Sequence, residues 1–133
     1  MESAITVEFK ADCRRVWDVV TDNRHTAWRS DVQQVEILDE KAFIERTPQG
    51  HETRFAITEK RPCEAYAFTM ENKMFTGRWR GDFTALAGGG CRVTFYEDVR
   101  MKNPLARLLA PLLLNLPKMQ RGYMADLRRE LGE

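Results

Sequence analysis

Histidine and cysteine are scarce in this chain, at two and three residues among 133. His25 and His51 fall on different predicted segments with no further ligand spaced near either, so no metal site is expected. Nothing in the chain asks for a cofactor. Cys13, Cys63 and Cys91 are far apart and odd in number. That pattern predicts reduced thiols packed inside a cytoplasmic protein. Neither sign of charge dominates: 21 basic and 20 acidic residues are interspersed for a net charge of +1. No basic block argues for nucleic acid. The longest apolar run, Pro104 to Pro117, falls short of the roughly 20 residues that span a bilayer. The opening MESAITVEFKADCRRVW lacks a basic stretch followed by an apolar one, so no secretory leader is expected. Gly88-Gly89-Gly90 does not lead from a strand into a helix and is no phosphate cradle. No serine sits in a nucleophile elbow.

What the chain does have is alternation. Ile5, Val7 and Phe9 alternate with Thr6, Glu8 and Lys10, the pattern of a half-buried strand. Asp12 stands at a natural N-cap, and Arg14 to Thr21 carries Val16, Trp17 and Val20 on one helical face. Asp22 and Asn23 end that helix, and Thr26-Ala27-Trp28 predicts a second short one. Period two then returns. Val35 and Ile37, Phe43 and Ile44, Thr53 to Ile57, Tyr66 to Met70, Phe75 to Phe83 and Val93 to Val99 mark six more strands. Turn residues separate them, which predicts an antiparallel meander. One domain spanning 1–133 is expected; a chain this long hides roughly two-thirds of its unfolded surface and holds a core without staples.

The alternation also assigns faces. Phe55, Ile57, Tyr66, Phe68, Trp79, Phe83, Val93 and Phe95 fall on one side, with Arg78, Arg80, Asp82, Arg92, Thr94 and Asp98 on the other. An aromatic sheet face needs a cover. The last segment supplies one: Leu105, Leu109, Leu112, Leu116, Met119, Tyr123, Leu127 and Leu131 recur at steps of three or four. About 27 residues at 1.5 Å each predict a helix of roughly 40 Å. Its first half is apolar nearly all round, through Leu108, Leu113 and Leu114 as well. Pro111 and Pro117 loosen its backbone, which predicts a kink and ligand access between that half and Trp28. The fold class expected is α+β: a curved antiparallel sheet of about seven strands around a long C-terminal helix, with two short helices after the first strand.

Four segments together, ITVEFKADCRRVWDVVTD, Trp28, GRWRGDFTALAGGGCRVTFYEDV and NPLARLLAPLL, resemble the START and pollen-allergen-like superfamily. Within it the chain is similar to the polyketide cyclase/dehydrase and lipid transport family. The resemblance covers nearly the whole chain. It implies a helix-grip fold with a cavity between sheet and C-terminal helix. It implies no universal catalytic residue.

Among polar residues, Glu97 shares the inward parity of Val93 and Phe95. Inside an apolar cavity its carboxyl would be raised in pKa and could act as acid, base or ligand anchor; near the strand end it would reach water or an arginine. His51 stands either at the cavity rim as a proton-transfer group or in a solvated loop. His25 could border the entrance. Tyr66 and Tyr123 each put a phenol on an apolar face, to orient a ligand or to bond backbone. Arg78 and Arg80 predict a cross-strand ion lattice with Asp82 and Asp98. Cys63 and Cys91 read as strand residues used in packing.

The function expected is a small soluble protein binding an apolar or aromatic molecule between sheet and helix. Trp28, Phe55, Tyr66, Phe68, Trp79, Phe83, Phe95, Glu97, Leu112, Leu116, Met119 and Tyr123 are the candidate ligand contacts. A cyclase or dehydratase acting on a polyketide-like substrate is the first alternative, with Glu97 or His51 as the catalytic candidate. A partner- or membrane-surface module using the Leu105–Leu116 face is the second. Monomer and homodimer are both compatible with the sequence.

Overall fold

In a computed structural model the elements run β1 (Glu2–Phe9), α1 (Cys13–Thr21), β2 (Gln34–Ile37), β3 (Ala42–Arg46), β4 (Glu52–Arg61), β5 (Ala65–Glu71), β6 (Phe75–Ala85), β7 (Cys91–Met101), α2 (Pro104–Leu113) and α3 (Leu116–Glu130). The structure describes residues 1–133, the side chain of Leu113 excepted, so the all-round apolar character expected at that position lies outside the described residues. All seven strands form one antiparallel sheet in the order β1-β7-β6-β5-β4-β3-β2. Hairpins connect β2 through β7, and β1 pairs with β7 from Glu2 opposite Asp98 to Phe9 opposite Cys91. A register shift between Ile57 and Glu59 bends β4.

The two faces separate as their alternation predicts. Phe55, Tyr66, Phe83, Val93 and Phe95 are buried. Outside, Arg80 bonds Glu59 at 2.6 Å and Asp82 at 3.1 Å, and Arg92 bonds Glu8 at 3.0 Å. Such exposed pairs each contribute little. Asp12 caps α1 by accepting from the Arg15 N–H at 2.8 Å, and α1 buries Cys13, Val16, Trp17 and Val20. α3 docks on β1, where the Gln120 amide receives the Ser3 hydroxyl at 2.7 Å and donates to the Ser3 carbonyl at 3.0 Å. The core has two clusters. One gathers around Trp17, Phe95 and Leu127, and the other around Phe43, Phe55, Val99 and Leu116. Phe68 and Trp79 touch both.

Four local expectations need correction. The segment Thr26–Trp28 is a turn, not a helix: Asp22 accepts from the Arg24 N–H and from His25 Nδ1, and Arg29 N–H closes a single turn onto Thr26 at 3.0 Å. Local side-chain bonds of this kind compete with a helical ladder. The C-terminal rod is divided at Leu114-Asn115. Asn103 and Asn115 each cap a new helix with a proline in its first turn, and Pro111 offers no N–H. The break falls where the prolines predict a kink. α2 does not lie apolar face down on the sheet; Leu105, Leu108, Leu109 and Leu112 are 65%, 76%, 40% and 83% exposed.

The fourth correction concerns cysteine. Cys13 and Cys91 form a disulfide with 4.8 Å between their Cα atoms, joining the start of α1 to the start of β7 across 78 residues. Only Cys63 is free, and it occupies a left-handed turn (φ 62°) between β4 and β5 rather than a strand. With that bond, the inference from cysteine chemistry to the cytoplasm no longer holds. Among the described residues no helix is long and apolar enough to cross a membrane.

Candidate functional site

A cavity of about 310 Å³ lies between the inner sheet face, the loop after α1, and α3. Its volume is at the low end of the roughly 300–1,000 Å³ usual for small-molecule sites. Aromatic rings from successive strands form its wall. Phe43 stacks on Phe55 at 4.8 Å, Phe55 meets Phe68 edge-on at 5.1 Å, and Phe68 stacks on Trp79 at 4.8 Å. Trp79 then meets Phe95 at 4.7 Å, and Phe95 meets Tyr123 of α3 at 5.4 Å. Gly81 permits that closeness: a Cβ there would sit 2.8 Å from Trp79 Cη2 and 3.2 Å from the Phe95 ring. Leu114, Leu116 and Met119 close the side toward the helix break.

Polar groups cluster on the side of the α1 loop. Arg29 donates through Nε and Nη2 to Asp31 at 3.0 and 2.7 Å, and through Nη1 and Nη2 to Glu45 at 2.8 and 3.2 Å. Its guanidinium also lies 5.2 Å from the centre of the Tyr123 ring. Burial works against its charge, but Glu45 and Asp31 outweigh it and hold its pKa well above the ordinary range. Glu97 lies opposite Ser3 and Trp79 in the sheet register and lines the cavity. Burial, reinforced by the nearby negative charge of Asp31, pushes its carboxyl up to about 7. No cation or hydrogen-bond donor among the described residues offsets this.

The Tyr66 hydroxyl is buried without a hydrogen-bond partner. Burial raises its pKa, and the Asn23 side chain lowers it in part without closing a bond of good geometry. Burial also raises Tyr123, against the opposing pull of Arg29.

The structure thus brings Phe55, Tyr66, Phe68, Trp79, Phe95, Glu97, Leu116, Met119 and Tyr123 around one space, with His51 exposed at its rim. Three candidates fall elsewhere. Phe83 packs edge-on against Trp17 at 5.1 Å, because long β6 runs on beyond α3 and beneath α1. Trp28 lies behind Tyr123, edge-on at 5.3 Å, and faces an outer groove beside His25 and Asp18. Leu112 points outward from α2. The exposed residues of the cavity lining are Asp31, on the loop just after Trp28, Met119, beside the helix break, and His51 and Met74; Trp28 itself does not line the cavity.

Sequence reasoning missed Arg29, Asp31, Asn23 and Glu45. Parity could have found Glu45, which shares the face of Phe43 along β3. Arg29 and Asp31 sit in irregular backbone, where no period assigns a direction.

Seven antiparallel strands gripping a C-terminal helix over an internal cavity define a helix-grip, START-like protein. The model of the polyketide cyclase / dehydrase and lipid transport family matches residues 2–132, and the chain belongs to that family. Similar solved structures agree on the fold. A conserved protein from Geobacillus kaustophilus has a TM-score of 0.83 at 13% identity, covering 99% of this chain and 95% of that one. A START superfamily protein from Mycobacterium smegmatis has a TM-score of 0.75 at 17% identity, covering 97% and 95%. DynU16, a protein of the dynemicin biosynthetic locus, has a TM-score of 0.76 at 14% identity, covering 98% of this chain and 47% of its own. No curated protein matches the chain.

Proposed function

We propose that this protein binds a compact apolar or aromatic molecule in the cavity between sheet and α3. The observation that carries the reading is a cavity walled by stacked rings that also holds a buried hydroxyl, Tyr66, without a partner. A buried unsatisfied polar group is costly, and a ligand oxygen or nitrogen would relieve that cost. Each 100 Å² of apolar ligand surface removed from water contributes about 2.5 kcal/mol before association costs. The volume of about 310 Å³ favours a molecule of a few rings over a sterol or a long acyl chain. Thermal stability measured against flavonoids, small polyketides, sterols and fatty acids tests the reading. Compact aromatics are expected to raise the melting temperature, and no shift with any member of the panel would overturn it.

Two observations favour further readings. Glu97 faces the cavity with a pKa of about 7, close to that suited to a general acid or base. A cyclase- or dehydratase-like activity would require it, and Glu97→Gln would then abolish turnover while leaving binding intact. The uncovered leucines of α2 favour docking on an anionic membrane surface. Between Asp98 and Asp126 the chain carries Arg100, Lys102, Arg107, Lys118 and Arg121 and no acidic residue. A symmetric contact with a second copy would place these like charges together, whereas anionic headgroups complement them.

A further inference from the structure

The charged groups inside the cavity decide more than whether it binds. Its lining contains one cationic side chain, Arg29, and three carboxylates, Asp31, Glu45 and Glu97. A guanidinium has five N–H donors. Four bonds from Arg29 already run to Asp31 and Glu45. Its guanidinium carbon also lies over the Tyr123 ring. Arg29 therefore offers almost nothing to an incoming carboxylate, although a lone buried arginine would ordinarily mark an acid-binding site.

Counting charges, two carboxylates against one guanidinium leave an excess of one negative charge, and ionised Glu97 makes it two. Of the groups left unsatisfied, ionised Glu97 only accepts, whereas the Tyr66 hydroxyl donates or accepts. Glu97 has no donor, and the fully buried Tyr66 hydroxyl, 2% exposed as a residue, has no partner. Both would be satisfied by a ligand hydroxyl or amine.

Resting on the binding function proposed above, we propose that the cavity selects neutral or cationic aromatic molecules carrying a hydroxyl or amine, and rejects organic acids of the same skeleton. Fatty acids are then excluded by charge as well as by size, and aromatic carboxylates by charge alone. The other titratable groups facing Glu97 are Asp31 and Arg29 on the loop, Glu45 on β3, Tyr66 on β5, Tyr123 on α3 and His51 at the rim. Arg29 stays charged and is spent on its two carboxylates, so discrimination is expected to be larger at pH 8 than at pH 6.

Two matched pairs test this: N-phenyl-1-naphthylamine against 1-anilinonaphthalene-8-sulfonate, and 2-naphthol against 2-naphthoate. Affinities are measured by fluorescence and calorimetry at both pH values. They are repeated in the Leu108→Ser/Leu112→Ser variant, so that binding to α2 is not counted. The neutral member of each pair is expected to bind at least tenfold more tightly at pH 8. The gap is expected to narrow at pH 6 and in Glu97→Gln. Equal or tighter binding of the anions would overturn the charge selection while leaving a ligand cavity in place. Absence of binding by all four probes would overturn the cavity reading and the selection with it.

Discussion

Arg29 donates to Glu45 at 2.8 Å across the cavity wall, with only 11% and 15% of the two side chains exposed. The bond ties the irregular loop after α1 to β3, near the sheet edge. Removing one partner of a buried pair leaves a desolvated charge, which costs about 3–5 kcal/mol. Arg29→Met is therefore expected to destabilise the protein by about that amount in urea unfolding. Arg29→Met/Glu45→Met is expected to recover part of the loss. If the single variant unfolds at the same urea concentration as the parent, the pair does not hold the loop.

Glu97 links stability to pH. Its folded pKa of about 7 stands above the ordinary 4.5, so the native state binds more protons than the unfolded state between those values. Stability is then expected to fall as pH rises from about 4.5 to 7, and to level off above. Glu97→Gln is expected to flatten that slope and to be more stable than the parent at pH 8 by up to about 3 kcal/mol. Denaturation curves at pH 5 and pH 8 check both points.

The Cys13–Cys91 bond closes a long loop between two buried residues. Its reduction is expected to cost about 2–4 kcal/mol and to lower the melting temperature by several degrees. Labelling of unfolded protein without reductant should modify one thiol, that of Cys63. Three modified thiols would show that the bond is absent.

Leu116 is 1% exposed at the first turn of α3 and belongs to the cluster beneath the helix break. Leu116→Ala is expected to cost about 2–5 kcal/mol, reduced where a bound aromatic fills the space. A cost unchanged by saturating ligand would separate this position from the binding volume.

α2 tests the surface reading. The protein is expected to float with vesicles rich in phosphatidylglycerol, more weakly at high salt, and not with phosphatidylcholine alone. Leu108→Glu/Leu112→Glu is expected to abolish flotation without changing the melting temperature, since both leucines are exposed. Flotation unaffected by these changes would rule out α2 as the docking element.

Much of this architecture was legible in the chain because it depends on local periods. Inward Phe55, Tyr66, Phe68, Trp79 and Phe95 follow from alternation, and Asp12, Asn103 and the prolines announce helix ends. Parity put Glu97 on the inward face, but parity does not reach beyond its own strand. It could not tell that no arginine would come to Glu97, since the one nearby is held by Asp31 and Glu45.

By itself, then, the sequence determined the order of the strands and the place of α1, the aromatic face of the sheet and the weak point near Pro111 and Pro117. Each of these is set by neighbours within a few residues, through backbone geometry and side-chain direction. Only the tertiary structure decided that Cys13 meets Cys91, that Phe83 and Trp28 stand outside the cavity, and that Arg29 is spent before any ligand arrives. Those outcomes depend on where distant segments cross, because pairing and desolvation are properties of the space between elements.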